Sequence, residues 1–327
     1  MKKIALFAHD AGGAEILLEL LLASLHVGEF RIFCLIESPC FTLIKTKSLE
    51  KYWCEITPTK EDIEAKLSLF EPSIIAYGTG WQNHLEYHFL NYAKKYQLPS
   101  FAFLDHWTNY RERFGYPTPN WKYNLPSFVV AHDKASEEKA ITFELPNVIA
   151  IKNYALLAQL KAFQTTQESD TLLFLSEPTA KVAQASFGDA YFWGFTEKEV
   201  FENILTCKAI FSCEKILIRL HPSDNKETYE AIDNTISFSK ATLLKDIANA
   251  KIIIGIDTVA LYTAYLLGKK VISYIPSDKR ACCVPLPFTN QLKSFENFTL
   301  SQLEIGKEKP EDFGIDFALF IEKHLGH

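Results

Sequence analysis

The sequence predicts an α/β protein with two Rossmann-like domains, each built on a parallel sheet. Short runs of consecutive apolar, often β-branched residues alternate with stretches of helical periodicity on both sides of a polar segment at 164–170. Several of these runs end in polar or charged residues, and ligands bind at the carboxyl ends of strands in open α/β sheets. We therefore expect two parallel-sheet domains that face each other across a cleft.

The composition supports a globular protein of the cytoplasm. The chain has 327 residues, enough for two domains, with 48% hydrophobic and 23% charged residues. A net charge of −6 argues against general attraction to nucleic acid or anionic lipid. Seven cysteines without any CxxC spacing fit reduced thiols better than disulfides or a zinc site. A strand begins at Lys3, so we expect no signal peptide, and the apolar helix at 14–25 is too short to span a membrane.

The first domain is expected at 1–160. Its apolar runs predict strands at Lys3–Ala8, Phe30–Ile36, Ser73–Tyr77, Ser100–Leu104 and Phe128–Ala131. Between and after them, helical spacing predicts helices at Gly13–Leu25, Lys60–Phe70, Asn83–Tyr96 and Ala135–Thr142.

The second domain is expected at 171–308. Its predicted strands are Thr171–Leu175, Lys215–Leu220, Lys251–Ile256 and Lys270–Tyr274. Its predicted helices are Glu197–Phe211, Asn225–Ile232, Ala241–Ala248 and Thr258–Leu267. The tail at 309–327 has helical spacing and is expected to return to the first domain.

Two strand ends of the first domain carry candidate catalytic and acceptor-binding residues. His9 and Asp10 can each take a proton from a hydroxyl, and Gly12 and Gly13 allow close approach of backbone to a ligand. In the alternative interpretation, Asp10 only caps the helix that follows.

The second of these strand ends is the segment DHWTNYRERF, at 105–114. Asp105 is a candidate base or a partner that orients His106, while Arg111 and Arg113 form a candidate clamp for phosphate or carboxylate. The alternative interpretation is a solvated loop with internal salt bridges.

The strand ends of the second domain carry candidate donor-binding residues. A histidine before a proline can stabilise the charge of a departing phosphate, and a helix start can bind an anion. The candidates are Ser176, Glu177, Arg219, His221, Ser223, Asp257 and Thr258.

Two of these segments resemble a known superfamily. RLHPSD at 219–224 and GIDTVALYTAYLLGKKVISY at 255–274 are similar to the HP motif and donor-site helix of GT-B nucleotide-sugar glycosyltransferases and the related UDP-N-acetylglucosamine 2-epimerases. The resemblance implies that His221 and Thr258 contact donor phosphates and that an acceptor-side base lies within 9–13. The family's ribose-binding Glu aligns with Thr263, and Lys270 replaces the usual proline. DHWTNYRERF resembles segments of proteins from bacterial surface-polysaccharide clusters.

The sequence and the resemblance together predict a metal-independent glycosyltransferase. It would move a sugar from a nucleotide-activated donor to a glycan or lipid-linked acceptor in surface-polysaccharide synthesis. The nucleotide-sugar would be a co-substrate, with no cofactor, and peripheral membrane association is left open. The alternatives are a nucleotide-sugar 2-epimerase or hydrolase on the same fold, and a non-catalytic sugar-binding protein.

Overall fold

The chain forms two compact units. The computed structural model describes residues 2–80, 84–164, 169–230, 232, 236–307 and 313–325. The first unit comprises Met1–Ala158 together with Lys309–His327, and the second comprises Gln159–Glu308. Residues 165–168 of the predicted connecting segment lie outside the described part of the chain.

The first unit is built on a parallel sheet with seven described strands in the order β3-β2-β1-β4-β5-β6-β7. The strands are β1 Lys2–Phe7, β2 Gly28–Cys34, β3 Trp53–Glu55, β4 Ile74–Gly78, β5 Ser100–Phe103, β6 Phe128–Ala131 and β7 Val148–Ala150. The five predicted strands are present within a few residues. The sequence did not predict β3 and β7, because three residues are too few to show a periodic pattern.

Helices cover both faces of this sheet. They are α1 Ala11–Ser24, α2 Pro39–Thr46, α3 Lys60–Phe70, α4 Glu86–Lys95, α5 Lys134–Thr142 and α6 Tyr154–Ala162. The start of α1 lies against the end of β4, where a Cβ on Gly13 would come within 2.9 Å of the Gly78 Cα. Only glycines allow this approach, which places the first turn of α1 at the carboxyl edge of the sheet.

The second unit has a parallel sheet with six described strands in the order β10-β9-β8-β11-β12-β13. The strands are β8 Thr171–Leu175, β9 Lys215–Arg219, β10 Ser237–Phe238, β11 Ile252–Gly255, β12 Lys270–Tyr274 and β13 Gln291–Leu292. Its helices are α7 Thr179–Phe187, α8 Glu197–Thr206, α9 Lys208–Phe211, α10 Glu227–Glu230, α11 Leu243–Asn249 and α12 Val259–Leu266. The helix predicted at 197–211 is therefore interrupted, at Cys207.

The last helix, α13 at Phe317–Leu325, packs into the first unit. Its Phe317 and Phe320 rings meet the ring of Phe101 edge-on, at centroid distances of 5.6 and 5.9 Å. Edge-to-face packing of buried rings adds to the stabilisation from burial alone. The tail of the chain is thus part of the core of the first unit.

The predicted fold class, α/β with two parallel sheets, is confirmed. In each sheet the strand order reverses beside the first strand of the unit, between β1 and β4 and between β8 and β11. Such reversal points are where open α/β sheets bind ligands. None of the helices in the described ranges is long and apolar enough to cross a membrane.

Candidate functional site

Asp10 lies at the reversal point of the first unit, directly after β1. Its Oδ1 accepts a hydrogen bond of 2.8 Å from the Gly13 N–H and so caps α1. Burial raises the pKa of Asp10, and repulsion from the Asp105 carboxylate raises it further. His9, the Gly13 N–H and Arg113 act in the opposite direction without cancelling the rise. Capping and an elevated pKa therefore coexist in the same carboxyl group.

Asp105, after β5, forms a buried ion pair with Arg113. The Arg113 Nη1 lies 2.6 Å from Asp105 Oδ1 and also donates to Thr79 O and Thr79 Oγ1, at 2.8 and 3.0 Å. Burial alone would raise the pKa of Asp105, but Arg113 and His106 outweigh it and hold the pKa below its ordinary value. Asp105 is thus a fixed negative charge at neutral pH, whereas the pKa of the neighbouring Asp10 is raised.

Gly12 leaves room for the Asp105 carboxylate beside the first turn of α1. A Cβ on Gly12 would lie 2.4 Å from Asp105 Oδ2, so the carboxylate occupies the space that a side chain would fill. The neighbouring histidines join the group, because His9 acts electrostatically on Asp10 and His106 on Asp105. His9 Nδ1 is buried and has no hydrogen-bond partner among the described residues. The structure thus brings the four predicted catalytic residues to one edge of the sheet.

The two predicted clamp arginines are both engaged within the unit. Arg111 donates to Phe143 O at 2.7 Å and pairs with Glu144 Oε2 at 3.0 Å. Arg113 is 3% exposed and holds Asp105 and Thr79. These bonds are the internal salt bridges of the alternative interpretation, but the segment is not a solvated loop, because Trp107, Tyr110 and Phe114 are buried with Arg113. A clamp on an anionic ligand would require breaking these bonds.

The sequence interpretation missed His132 and Asp133 at the end of β6. His132 Nδ1 donates to Leu104 O at 3.0 Å, and His132 acts electrostatically on Asp105. Asp133 Oδ1 caps α5 by accepting from the Ser136 N–H at 2.6 Å. A signal was available, because Ala-His-Asp occurs both at 8–10 and at 131–133, each time where a strand turns into a helix.

His221 follows β9 in the second unit. Its backbone N–H donates to Ser176 Oγ at 2.9 Å, and its Nδ1 accepts from the Ser223 N–H at 3.1 Å. Partial desolvation lowers the pKa of His221 below its ordinary value, opposed by Asp224 and reinforced by Lys181. The neutral ring therefore carries its proton on Nε2 and can donate a hydrogen bond through that atom.

Glu177 and Asp257 meet at the reversal point of the second unit, where a third residue, Arg280, joins them. Glu177 Oε1 accepts from the Asp257 N–H, and the Arg280 Nη2 lies 3.7 Å from Glu177 Oε2 and 3.5 Å from Asp257 Oδ2. Burial raises the pKa of Glu177 to about 7; Arg280 acts to lower it and Asp257 to raise it. Arg280 was not predicted, because nothing near it in the sequence marks it as a partner of β8.

The two helix starts at this edge differ in what occupies them. At α7, the Ala180 N–H donates to the buried Glu197 carboxylate at 2.7 Å, so an acidic side chain already fills the position of an anion. At α12, Thr258 is the N-cap, and its Oγ1 lies 3.4 Å from the Ala260 N. The Glu177 carboxylate lies just before α12, at the Asp257 N–H, but the Ala260 N–H of α12 faces a hydroxyl rather than a carboxylate. Of the two helix starts, α12 is therefore the better candidate for binding an anion.

Arg219, a predicted donor-binding residue, and Thr263, which stands where the family has its ribose-binding Glu, are both engaged inside the second unit. Arg219 Nη1 bonds Ala241 O and Asp246 Oδ2 at 2.8 and 2.7 Å. Thr263 is 2% exposed, and its hydroxyl lies 3.5 Å from Gln159 Oε1. Arg219 thus anchors the start of α11, and Thr263 belongs to the interior. In the described part of the chain, no three His, Cys, Asp or Glu side chains are arranged to hold a metal ion.

Solved structures share this architecture. Anabaena HepE, solved in complex with UDP, matches with a TM-score of 0.56 and 14% identity over 100% of this chain and 90% of that one. A UDP-N-acetylglucosamine 2-epimerase matches with a TM-score of 0.53 and 10% identity over 85% and 80% of the two chains. A candidate UDP-N-acetylglucosamine 2-epimerase from Listeria monocytogenes matches with a TM-score of 0.55 and 11% identity, with the same coverage. The chain has a GT-B fold. No protein-family model matches the sequence, and a search of curated proteins finds no match.

The GT-B resemblance noted in the sequence is therefore confirmed at the level of the fold. The two motifs that carried it lie at the carboxyl ends of β9 and β11, with His221 after the first and Thr258 after the second. This fold is shared by glycosyltransferases and by UDP-N-acetylglucosamine 2-epimerases.

Proposed function

We propose that this protein is a metal-independent glycosyltransferase that uses a nucleotide-activated sugar. The observation that carries the proposal is the pair of neighbouring carboxyl groups in the first unit, with the pKa of Asp10 raised and that of Asp105 lowered. When the environment drives the pKa values of two neighbouring groups apart, the group with the raised pKa is suited to accept a proton and the group with the lowered pKa remains a fixed charge.

Asp10 is the proposed general base. A base works best when its pKa approaches the working pH, and the fixed charge of Asp105 moves Asp10 in that direction. Asp10 would take the proton of an acceptor hydroxyl as the hydroxyl oxygen forms a bond to the anomeric carbon of the donor. The bond from that carbon to the diphosphate breaks, and a nucleoside diphosphate leaves. His9 and Asp105 are the other candidates for the base.

The second unit is the proposed donor-binding unit. His221 can donate from Nε2 to a phosphate oxygen, and the N–H groups at the start of α12 add positive potential. Hydrogen-bond donors of the protein, such as these N–H groups, can stabilise a departing diphosphate without a metal. HepE, which shares the fold, has been solved with UDP, and this supports a nucleotide ligand. Following the sequence resemblance, the proposed acceptor is a glycan or lipid-linked saccharide of a bacterial surface polysaccharide, reached from the cytoplasm.

A nucleotide-sugar 2-epimerase or hydrolase is the second candidate. Both reactions need a group that exchanges protons beside the donor sugar, and the pKa of Glu177, raised to about 7, suits that task. The products distinguish the candidates. A transferase releases nucleoside diphosphate only when the acceptor is present, whereas a hydrolase releases it alone and an epimerase changes the sugar.

A ligand screen tests the proposal. The melting temperature would be measured with CMP, UDP, GDP and their sugar conjugates, because a ligand at 100 times its Kd stabilises by about 2.7 kcal/mol. We expect stabilisation by one nucleotide family. The active conjugate would then be incubated with and without polysaccharide-fragment acceptors, and free nucleotide would be quantified. Saccharide binding with no response to any nucleotide would instead identify a non-catalytic sugar-binding protein.

A further inference from the structure

Arg280 lies in the loop after β12 and is shared among three side chains. Its guanidinium sits over the Trp193 ring at 4.7 Å from the centroid, and its Nη2 faces Asp257 and Glu177 at 3.5 and 3.7 Å. Charge-assisted hydrogen bonds to carboxylates are normally 2.7–2.9 Å long. Arg280 is thus held near two carboxylates without a close bond to either, and a better acceptor can displace them.

The two carboxylates differ in their other partners. Asp257 is 4% exposed, and its Oδ1 accepts from the Cys283 N–H at 2.7 Å and the Val284 N–H at 3.3 Å. Glu177 Oε1 accepts from the Asp257 N–H, and the charged partner of its Oε2 is Arg280. If Arg280 moves, Asp257 keeps two backbone donors, whereas Glu177 loses its only cation among the described residues. Glu177 is therefore the group whose protonation responds.

We propose that Arg280 binds the diphosphate of the nucleotide-sugar, and that Glu177 takes up a proton from solvent as Arg280 turns from it to the ligand. This inference rests on the proposed function. Trp193 would keep the guanidinium stacked during the exchange, since cation–π contact does not use its N–H groups. The exchange leaves no carboxylate stranded, because the lost positive partner is replaced by a proton.

The sign of the pH dependence follows from the raised pKa of Glu177, about 7 in the free protein. Well below pH 7 Glu177 is already protonated, so binding takes up no proton. At pH 7 and above, binding takes up as much as one proton, and affinity falls as pH rises. Each unit by which binding raises this pKa corresponds to a tenfold change in affinity.

Two other groups in this unit have shifted pKa values. His221, at the end of β9, has a pKa lowered from 6.5, so its protonation contributes mainly below pH 6.5. Burial raises the pKa of Glu197 on α8, but its carboxylate bonds the start of α7. Arg280 and Asp257 are the charged groups that act on Glu177 itself. A variant at Glu177 therefore separates its proton from those of its neighbours.

Isothermal titration calorimetry of the full chain tests the proposal. The probe is the UDP- or GDP-sugar that gives the largest thermal shift, since its diphosphate diester does not titrate between pH 5.5 and 8.5. Titrations in buffers of different ionisation enthalpy give the number of protons taken up. For a one-unit shift of the Glu177 pKa from about 7, we expect close to zero protons at pH 5.5 and about half a proton near pH 7.5. The affinity should then be about sevenfold weaker at pH 8.5 than at pH 6.

Three variants make the assignment specific. Glu177→Gln keeps an acceptor for the Asp257 N–H and should abolish proton uptake above pH 7 while retaining affinity at pH 6. Arg280→Gln should weaken binding at every pH. Glu214→Gln, at an exposed position of the same unit, should behave like the parent. Circular dichroism would establish that each variant is folded.

The outcomes are distinct. Binding without proton uptake, or uptake that persists in Glu177→Gln, would overturn the inference and leave the proposed function standing. Parental affinity in Arg280→Gln would remove Arg280 from the phosphate site. If no nucleotide-sugar binds at any pH, the proposed function fails and this inference fails with it.

Discussion

Replacing Arg113 by methionine should destabilise the first unit strongly. The change removes the ion pair with Asp105 and the bonds to Thr79. The Asp105 side chain, which is 19% exposed, then loses the cation that neutralises it. Removing one partner of a buried ion pair typically costs about 3–5 kcal/mol. For a unit of this size, that corresponds to a fall in Tm of about 6–20 °C.

The pH dependence of this loss gives a sharper test. The pKa of Asp105 is depressed in the folded parent, so its pairing contributes stability above the unfolded pKa of about 3.9 and loses it as pH falls through the folded pKa. In Arg113→Met the unpaired carboxyl has a raised pKa and becomes protonated at mildly acid pH. The difference in Tm between parent and variant should therefore be largest near pH 7.5 and shrink towards pH 4.5.

A matched substitution provides the control. Arg111 lies two residues away, donates to Phe143 O and pairs with Glu144, whose side chain is 79% exposed, so Arg111→Met should cost about 1–2 kcal/mol, less than Arg113→Met. The double variant Arg113→Met/Asp105→Asn should lose less stability than the sum of the losses of the two single variants, because it no longer contains an unpaired buried carboxylate. Thermal denaturation followed by circular dichroism measures all five proteins: the parent, the three single variants and the double variant. Equal losses for the two arginines, or a loss independent of pH, would refute the reasoning.

Three further substitutions test the proposed chemistry, each measured as turnover of the nucleotide-sugar identified by the screen. Asp10→Asn keeps a cap for α1 but cannot accept the proton, so turnover should fall about 10²–10⁴-fold with Tm nearly unchanged; full activity would eliminate Asp10 as the base. His221→Ala should slow turnover about 10²–10³-fold and weaken nucleotide binding, and unchanged values of both would remove it from the donor site. Gly12→Ala must displace Asp105 Oδ2, and this overpacking should cost about 1–3 kcal/mol of stability, only partly offset by the better helix propensity of alanine. We expect lower turnover, and parental turnover would show that the position of Asp105 does not matter.

The order of strands and helices could be predicted because it depends on local pattern. A strand buried on both faces is apolar through its buried residues, and β6 and β11 show this over their whole length, while β1 shows it from Ile4 and β8 from Leu172. The start of α12 could be predicted from its N-cap Thr258 and its end from Gly268, which has a φ of +78°. The two-residue strands β10 and β13 could not be predicted, because their pairing is set by neighbouring strands.

The positions of the candidate site residues were also determined by the sequence, since polar residues directly after a buried strand must lie at its carboxyl edge. Their partners were decided only by the tertiary structure. Asp10 caps α1 and lies beside Asp105, and Arg113 turns inward to that carboxylate rather than outward to a ligand. Arg280 is close to Glu177 in space although the two residues are far apart in the sequence. The physical reason is that a charge and a pKa depend on what lies within a few ångströms, and in a parallel sheet those neighbours come from crossovers distant in the sequence.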